Sequence, residues 1–239
     1  MVGSVRRASS ACAVTLPVAV MLSGCVSTQT TAARARLVND RVLAATRPTE
    51  VVRPNPAVGV GAPVLIRSAA GTAVVIPVQN HSSSALTDLP ISVGIRTRSG
   101  RTVFLNRSAG IDYFQTHVAA IPPGGLVTWV FTTSRRVTVG RPFATVGFPQ
   151  LHPSLAGGLP RISASWRGTA SVSVTNQSAI PQDDLPVYVV AVRGGRDVGA
   201  ARAAVAHLGT HGRATVTVNL PGGAGRATLY VIALPTIFS

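Results

Sequence analysis

Residues 71–95 read GTAVVIPVQNHSSSALTDLPISVGI, and residues 168–191 read GTASVSVTNQSAIPQDDLPVYVVA. Asn80 is followed eight residues later by Asp88-Leu89-Pro90, and Asn176 eight residues later by Asp184-Leu185-Pro186, at an offset of 96. Gly71-Thr72-Ala73 leads into the first stretch as Gly168-Thr169-Ala170 leads into the second. Downstream, Gly100-Arg101 answers to Gly195-Arg196, and Gly125 to Gly212. Near each end, Phe143-Ala144-Thr145-Val146 is aligned with Arg226-Ala227-Thr228-Leu229. The shared order of these matches makes the chain a duplicated unit.

Apolar residues alternate in the same phase in both copies. Ile76 and Val78 correspond to Val172 and Val174, and Ile91, Val93 and Ile95 to Val187, Val189 and Ala191. A third set aligns Val127, Trp129 and Phe131 with Ala214, Val216 and Val218, leaving Thr215, Thr217 and Asn219 to face outward. Apolar side chains at every second position predict strands with one buried face. Trp129 is then a core residue, and Trp166, in phase with Ile162 and Ala164, belongs to a core or a domain seam. Pro77 fits an edge strand or a bulge better than a central position. Short strands separated by Gly, Pro and Asn turns predict an all-β chain of two tandem β-sandwich modules.

The order of these features resembles small immunoglobulin- or fibronectin-III-like modules of bacterial surface proteins, including FxLYD-type and CARDB-type domains. The residues that carry the likeness are Val78-Gln79-Asn80, Ile91 to Ile95, Ser99-Gly100-Arg101, and Ile121-Pro122-Pro123-Gly124-Gly125. It covers most of Ala62 to Ala233 and implies Ig-like sandwiches. Gly94-Ile95-Arg96 stands where the aromatic-Asp signature of the FxLYD group would fall.

The N-terminus reads as an address. Arg6 and Arg7 precede an apolar run from Ala11 to Leu22, which is too short to cross ~30 Å of hydrocarbon. The run ends in Leu22-Ser23-Gly24-Cys25, which resembles the lipobox of bacterial lipoproteins. That resemblance implies cleavage before Cys25 and attachment of a diacylglycerol to its thiol. Two acyl chains anchor stably where one holds only marginally. The expected location is therefore the outer face of the cytoplasmic membrane. The second cysteine, Cys12, leaves with the leader, so the mature chain is expected to hold no disulfide or redox thiol. The expected organisation is a signal peptide at 1–24, a tether at 25–57 with a short helix over Ala32 to Ala45, and a first module at 58–148. A linker at 149–160, rich in Pro and Gly, leads to a second module at 161–239.

Composition narrows the function. The chain has 22 basic residues against 7 acidic ones, a net charge of +15. All 22 are arginine, as a GC-rich genome such as an actinobacterial one would encode. Export makes nucleic acid an improbable partner, and leaves headgroups and cell-wall polymers as the available polyanions. No phosphate loop, G-x-S-x-G elbow or H-E-x-x-H occurs, and Glu50 is the only glutamate. Asp183-Asp184 fits a turn. His207 and His211, four apart, are interrupted by Gly209 and read as a turn rather than a metal site. No enzyme, metal or cofactor is expected. Between the strand pair Ile95/Ala191 and the Gly turn the offset falls from 96 to 87, so the first module carries nine extra residues within Asn106 to Ala120. Arg107, Asp112, Tyr113, Phe114 and His117 lie there, a candidate partner-binding loop on a scaffold that tolerates loop variation. The alternative is a longer loop whose Tyr and Phe cover the end of the sandwich. The expected function is binding of another envelope protein or help in envelope assembly, with a cell-wall glycan or anionic polymer as the alternative ligand.

Overall fold

The computed structural model describes residues 51–108, 111–137, 140–149, 158–220 and 225–237. The leader, Leu22-Ser23-Gly24-Cys25 and the helix expected over 32–45 lie outside them. Among the described residues the chain is all-β, with fourteen strands, a single 3₁₀ turn and no α-helix. All strand pairings are antiparallel.

The first module contains β1 (Val58–Val60), β2 (Val64–Ser68), β3 (Gly71–Asn80), β4 (Leu86–Thr97), β5 (Thr102–Phe104), β6 (His117–Ile121), β7 (Leu126–Thr133) and β8 (Gly140–Val146). In one sheet β3 is central, with β7 on one side and β1 and β2 end to end on the other. In the facing sheet β4 is central, between β8 and the end-to-end pair β5 and β6. The second module repeats the plan with β9 (Ile162–Arg167), β10 (Ser171–Asn176), β11 (Gln182–Arg193), β12 (Arg196–Leu208), β13 (Arg213–Thr217) and β14 (Thr228–Ala233). Its sheets are β9-β10-β13 and β12-β11-β14.

Strand register bears out the repeat residue by residue. Ile76 faces Trp129 as Val172 faces Val216, and Val78 faces Val127 as Val174 faces Ala214. Asn80 N–H donates to Gly125 O at 2.9 Å, and Asn176 N–H to Gly212 O at 2.9 Å. One alignment is corrected. Ile91 faces Val146 and Val187 faces Ala233, so Phe143 to Val146 corresponds to Tyr230 to Ala233 rather than to Arg226 to Leu229. The shared Ala-Thr pair that suggested the other alignment is coincidental, because ladder pairing, not local identity, sets the register.

The nine extra residues are an insertion into one strand. Ile95 faces Val103 as Ala191 faces Gly199, and Leu89 faces Val118 as Leu185 faces Val205. The second module covers that span with the continuous strand β12. The first breaks it into β5 and β6, with the 3₁₀ turn Tyr113–Gln115 between them.

Pro77 sits on the central strand β3, contrary to the edge or bulge expected. It falls where β2 has ended and β1 has not begun, opposite Gly61, whose N–H donates to Pro77 O at 2.8 Å. A missing N–H costs no ladder bond at such a gap. Asp88 and Asp184 each take a left-handed φ, 53° and 48°. Asp tolerates that conformation better than most residues, and one such residue inside β4 and β11 bends each strand at the same point.

The central strands also differ from expectation in burying both faces. Ile76 and Val78 point into the first sandwich, while Val75 and Ala73 on the opposite face are buried too. In β11, Leu185, Val187 and Val189 fill the second core. Tyr188 and Val190 face the other way and join the cluster of the first module, with Ala200 and Leu234. The sheet containing β3 and β7 therefore packs against the sheet containing β11 and β12, giving four sheets in one stack. Residues 51–57 also lie against the first module. Val51 N–H donates to Ser92 Oγ at 3.1 Å, Asn55 N–H donates to Val146 O at 2.9 Å, and Asn55 is buried.

Candidate functional site

The insertion closes on itself and on the second module. Asp112 caps the 3₁₀ turn by accepting from Phe114 N–H at 2.9 Å, and also accepts from Arg202 Nη2 at 2.5 Å. Arg202 projects from β12, so this ion pair crosses the seam. Tyr113 donates its hydroxyl to Asp88 Oδ1 at 2.7 Å. Its ring stacks on His117, with centroids 4.1 Å apart and planes 4° from parallel, and meets Phe114 edge-on at 5.2 Å. Phe114 and His117 are buried. The Arg107 guanidinium lies 3.4 Å from the centre of the Phe104 ring. The structure thus brings together four of the five residues singled out in this loop, Asp112, Tyr113, Phe114 and His117, with the last three turned inward over the end of the sandwich, and sets Arg107 over Phe104.

Burial holds the His117 imidazole below its ordinary pKa of 6.5, opposed by the Asp88 charge and by the bond to Tyr113 O. A ring kept neutral inside the fold takes up its proton more readily in the unfolded chain. Its stabilising effect is therefore whole above about pH 6.5 and is lost as pH falls through the depressed folded value. One proton sets a limit of about 1.4 kcal/mol per pH unit. Unfolding free energies measured between pH 7 and pH 5 should fall more steeply for the wild type than for His117→Phe. Equal slopes would show that the ring takes up no proton on unfolding.

The Tyr188 hydroxyl is buried beside Arg202. Burial raises its pKa well above the ordinary value, and the arginine charge opposes that rise. Tyr188, Arg202 and Asp112 form a polar insert in an otherwise apolar seam. Where the seam opens, a groove of about 430 Å³ is lined by Val75, Pro77 and Thr128 from one module and Val192, Asp197 and Ile232 from the other. Leu126 and Tyr230 stand at its wall, 66% and 54% exposed. Partial burial raises the pKa of the Asp197 carboxyl there.

No family model matches the chain, and no curated protein matches it.

Three of the described carboxylates occupy structural positions. Asp183 Oδ1 lies 2.7 Å from His207 Nδ1, Asp112 holds Arg202, and Asp88 holds Tyr113. His211 lies in the Gly209–Gly212 turn with φ of 52°, so it and His207 share no helical face. Among the described residues no three His, Cys, Asp or Glu side chains gather as a metal site would need. Trp129 is fully buried and donates its indole N–H to His117 O at 3.1 Å, while Trp166 packs on the second core rather than at the seam.

Three features escaped the sequence reading: the Arg202–Asp112 pair, the seam groove, and a row of arginines and aromatics on the outer face of β8-β4-β5. Arg202 and Asp112 are 90 residues apart, and only the packing of two outer faces joins them. A signal for that packing was present, since Leu185 to Val192 is a continuous apolar run where a half-buried strand would alternate.

Proposed function

We propose that this chain is a non-catalytic binding protein of the bacterial envelope, lipid-anchored through Cys25 and engaging another envelope protein through the groove between its modules. The observation that carries the reading is the groove itself. Both modules wall it, its surface is largely apolar, and two large apolar side chains stand exposed at its side. Exposed apolar surface concentrated at one place marks interaction sites. Asp197 adds one acidic group, which suits an extended apolar segment carrying a basic side chain. The structural use of Asp88, Asp112 and Asp183 supports a binding role over a catalytic one.

The test is cross-linking in the native envelope. Leu126→Ser combined with Tyr230→Ser should lower the yield of the cross-linked partner several-fold while leaving the Tm within about 2 °C, since both residues are exposed. Unchanged cross-linking would reject the groove as the docking site. Labelled palmitate should enter the wild type and not Cys25→Ser, and failure to label the wild type would reject the anchor. One other observation favours the second reading, an anionic polymer ligand: the first module holds eight arginines and two aspartates among its described residues. Both aspartates are bonded within the protein.

A further inference from the structure

The outer face of β8-β4-β5 places like charges side by side. Arg96 on β4 and Arg141 on β8 are direct cross-strand partners in the antiparallel ladder. Both are exposed, and among the described residues neither pairs with a carboxylate. Like charges directly opposite each other destabilise a sheet. A neutral or acidic residue at either place would remove that cost, so the arrangement calls for an anion between them.

The surroundings fit one. Phe143 lies across Gly94, where an added Cβ would come within 2.5 Å of the ring's Cζ. Only glycine at 94 lets the ring lie this close to the sheet. Phe104 meets Phe143 edge-on at 5.7 Å, and the Arg96 guanidinium sits over the Phe143 ring at 5.4 Å from its centre. A guanidinium resting on an aromatic face is held in place while its N–H edge stays available for an oxyanion. Arg96, Arg141 and Phe143 line a pocket of about 360 Å³, closed on the far side by the β1–β2 connection from Val60 to Pro63. Among the described residues no acidic side chain lines it.

We infer that Arg96 and Arg141 form a site for the phosphate groups of a linear anionic polymer, seated in the pocket between β8 and the β1–β2 connection. This deepens the polymer reading and rests on the chain being a binder. Phosphate suits the pair better than carboxylate. A carboxylate offers its acceptor sites in one plane and one guanidinium fork takes up two of them, whereas phosphate presents oxygens in several directions and accepts readily from two forks at once. A polymer suits the site better than a bilayer surface because the pocket is concave and bounded on both sides.

The purified full-length chain is titrated calorimetrically with inorganic polyphosphate at low ionic strength. Binding by Arg96→Gln/Arg141→Gln should weaken by about tenfold or more. Arg98→Gln/Arg101→Gln, which removes the same charge from the neighbouring hairpin, should stay within about twofold. Without ligand, Arg141→Gln alone should raise the Tm by about 1–3 °C through relief of repulsion. Equal losses in both double variants would reduce the effect to net charge and overturn the site. Equally tight binding of polygalacturonate through the same pair would overturn phosphate as its ligand. Capture of anionic vesicles in preference to polyphosphate would overturn the polymer. These measurements need neither lipidation nor a protein partner, so their failure is separable from failure of the cross-linking or palmitate tests.

Discussion

A carboxylate placed at Val190 is expected to uncouple the two modules. Val190 is 4% exposed and packs with the first module's buried cluster although it belongs to the second. An aspartate there loses the valine's apolar contacts and must either keep a charge away from water or take up a proton. The combined cost is about 3–5 kcal/mol. It falls on the seam and not on either sandwich core, since Val187 and Val189 on the opposite face of β11 are untouched. Thermal unfolding of Val190→Asp should therefore separate into two transitions where the wild type shows one. Val130→Asp, approaching the seam from β7, should do the same. Ser165→Asp on an exposed face of β9 should move stability by less than about 0.5 kcal/mol. A single transition with reduced Tm in both seam variants would mean that the modules unfold together whatever the state of their contact.

The seam also shows how far the sequence could be read. Phase matching found the strands, because Ile76/Val172 and Trp129/Val216 repeat a cross-strand pair and the inward face of a sandwich must be apolar in both copies. Attention to every second residue concealed the other face. Val75, Tyr188 and Val190 lie out of phase with the core; the apolar run from Leu185 to Val192 signals a second buried face, but which outer faces meet is a choice that no local pattern encodes. The insertion was located by the drop in offset, but not the direction of its side chains. Tyr113 turns inward to donate its hydroxyl to Asp88, 25 residues earlier and itself at a left-handed φ of 53°. Arg96 and Arg141 were visible only as part of a net charge until the ladder set them opposite each other. Exposed charge has no periodicity of its own, so register is the first level at which such a pair becomes legible.

Replacing Asn80 or Asn176 by aspartate should cost more than replacing either by alanine, and the aspartate variants should recover in acid. Asn80 Nδ2 donates to Ser84 O at 2.7 Å and Pro122 O at 3.0 Å, while Oδ1 accepts from Ser82 N–H at 2.8 Å and Ser82 Oγ at 2.7 Å. Asn176 repeats the set, donating to Ile180 O at 2.8 Å and Gly209 O at 3.0 Å and accepting from Ser178 N–H and Oγ at 2.9 and 2.7 Å. Each amide thus ties the turn after its own strand to the turn that leads into β7 or β13. Each side chain is at most 1% exposed, so no water replaces a lost bond. Alanine removes all of these bonds at once, for about 2–4 kcal/mol. Aspartate keeps the acceptor but turns the donor into a second negatively charged oxygen facing carbonyl oxygens, which adds repulsion to the loss. That repulsion raises the folded pKa of the new carboxyl. Stability should then rise as pH falls through the raised value toward about 4, where protonation restores one donor. Chemical denaturation of the four single variants at pH 7 and pH 4.5, each referred to the wild type at the same pH, reads both effects. Alanine and aspartate variants that fall equally, with no narrowing of the gap in acid, would show that the Nδ2 donors do not hold the two turns together.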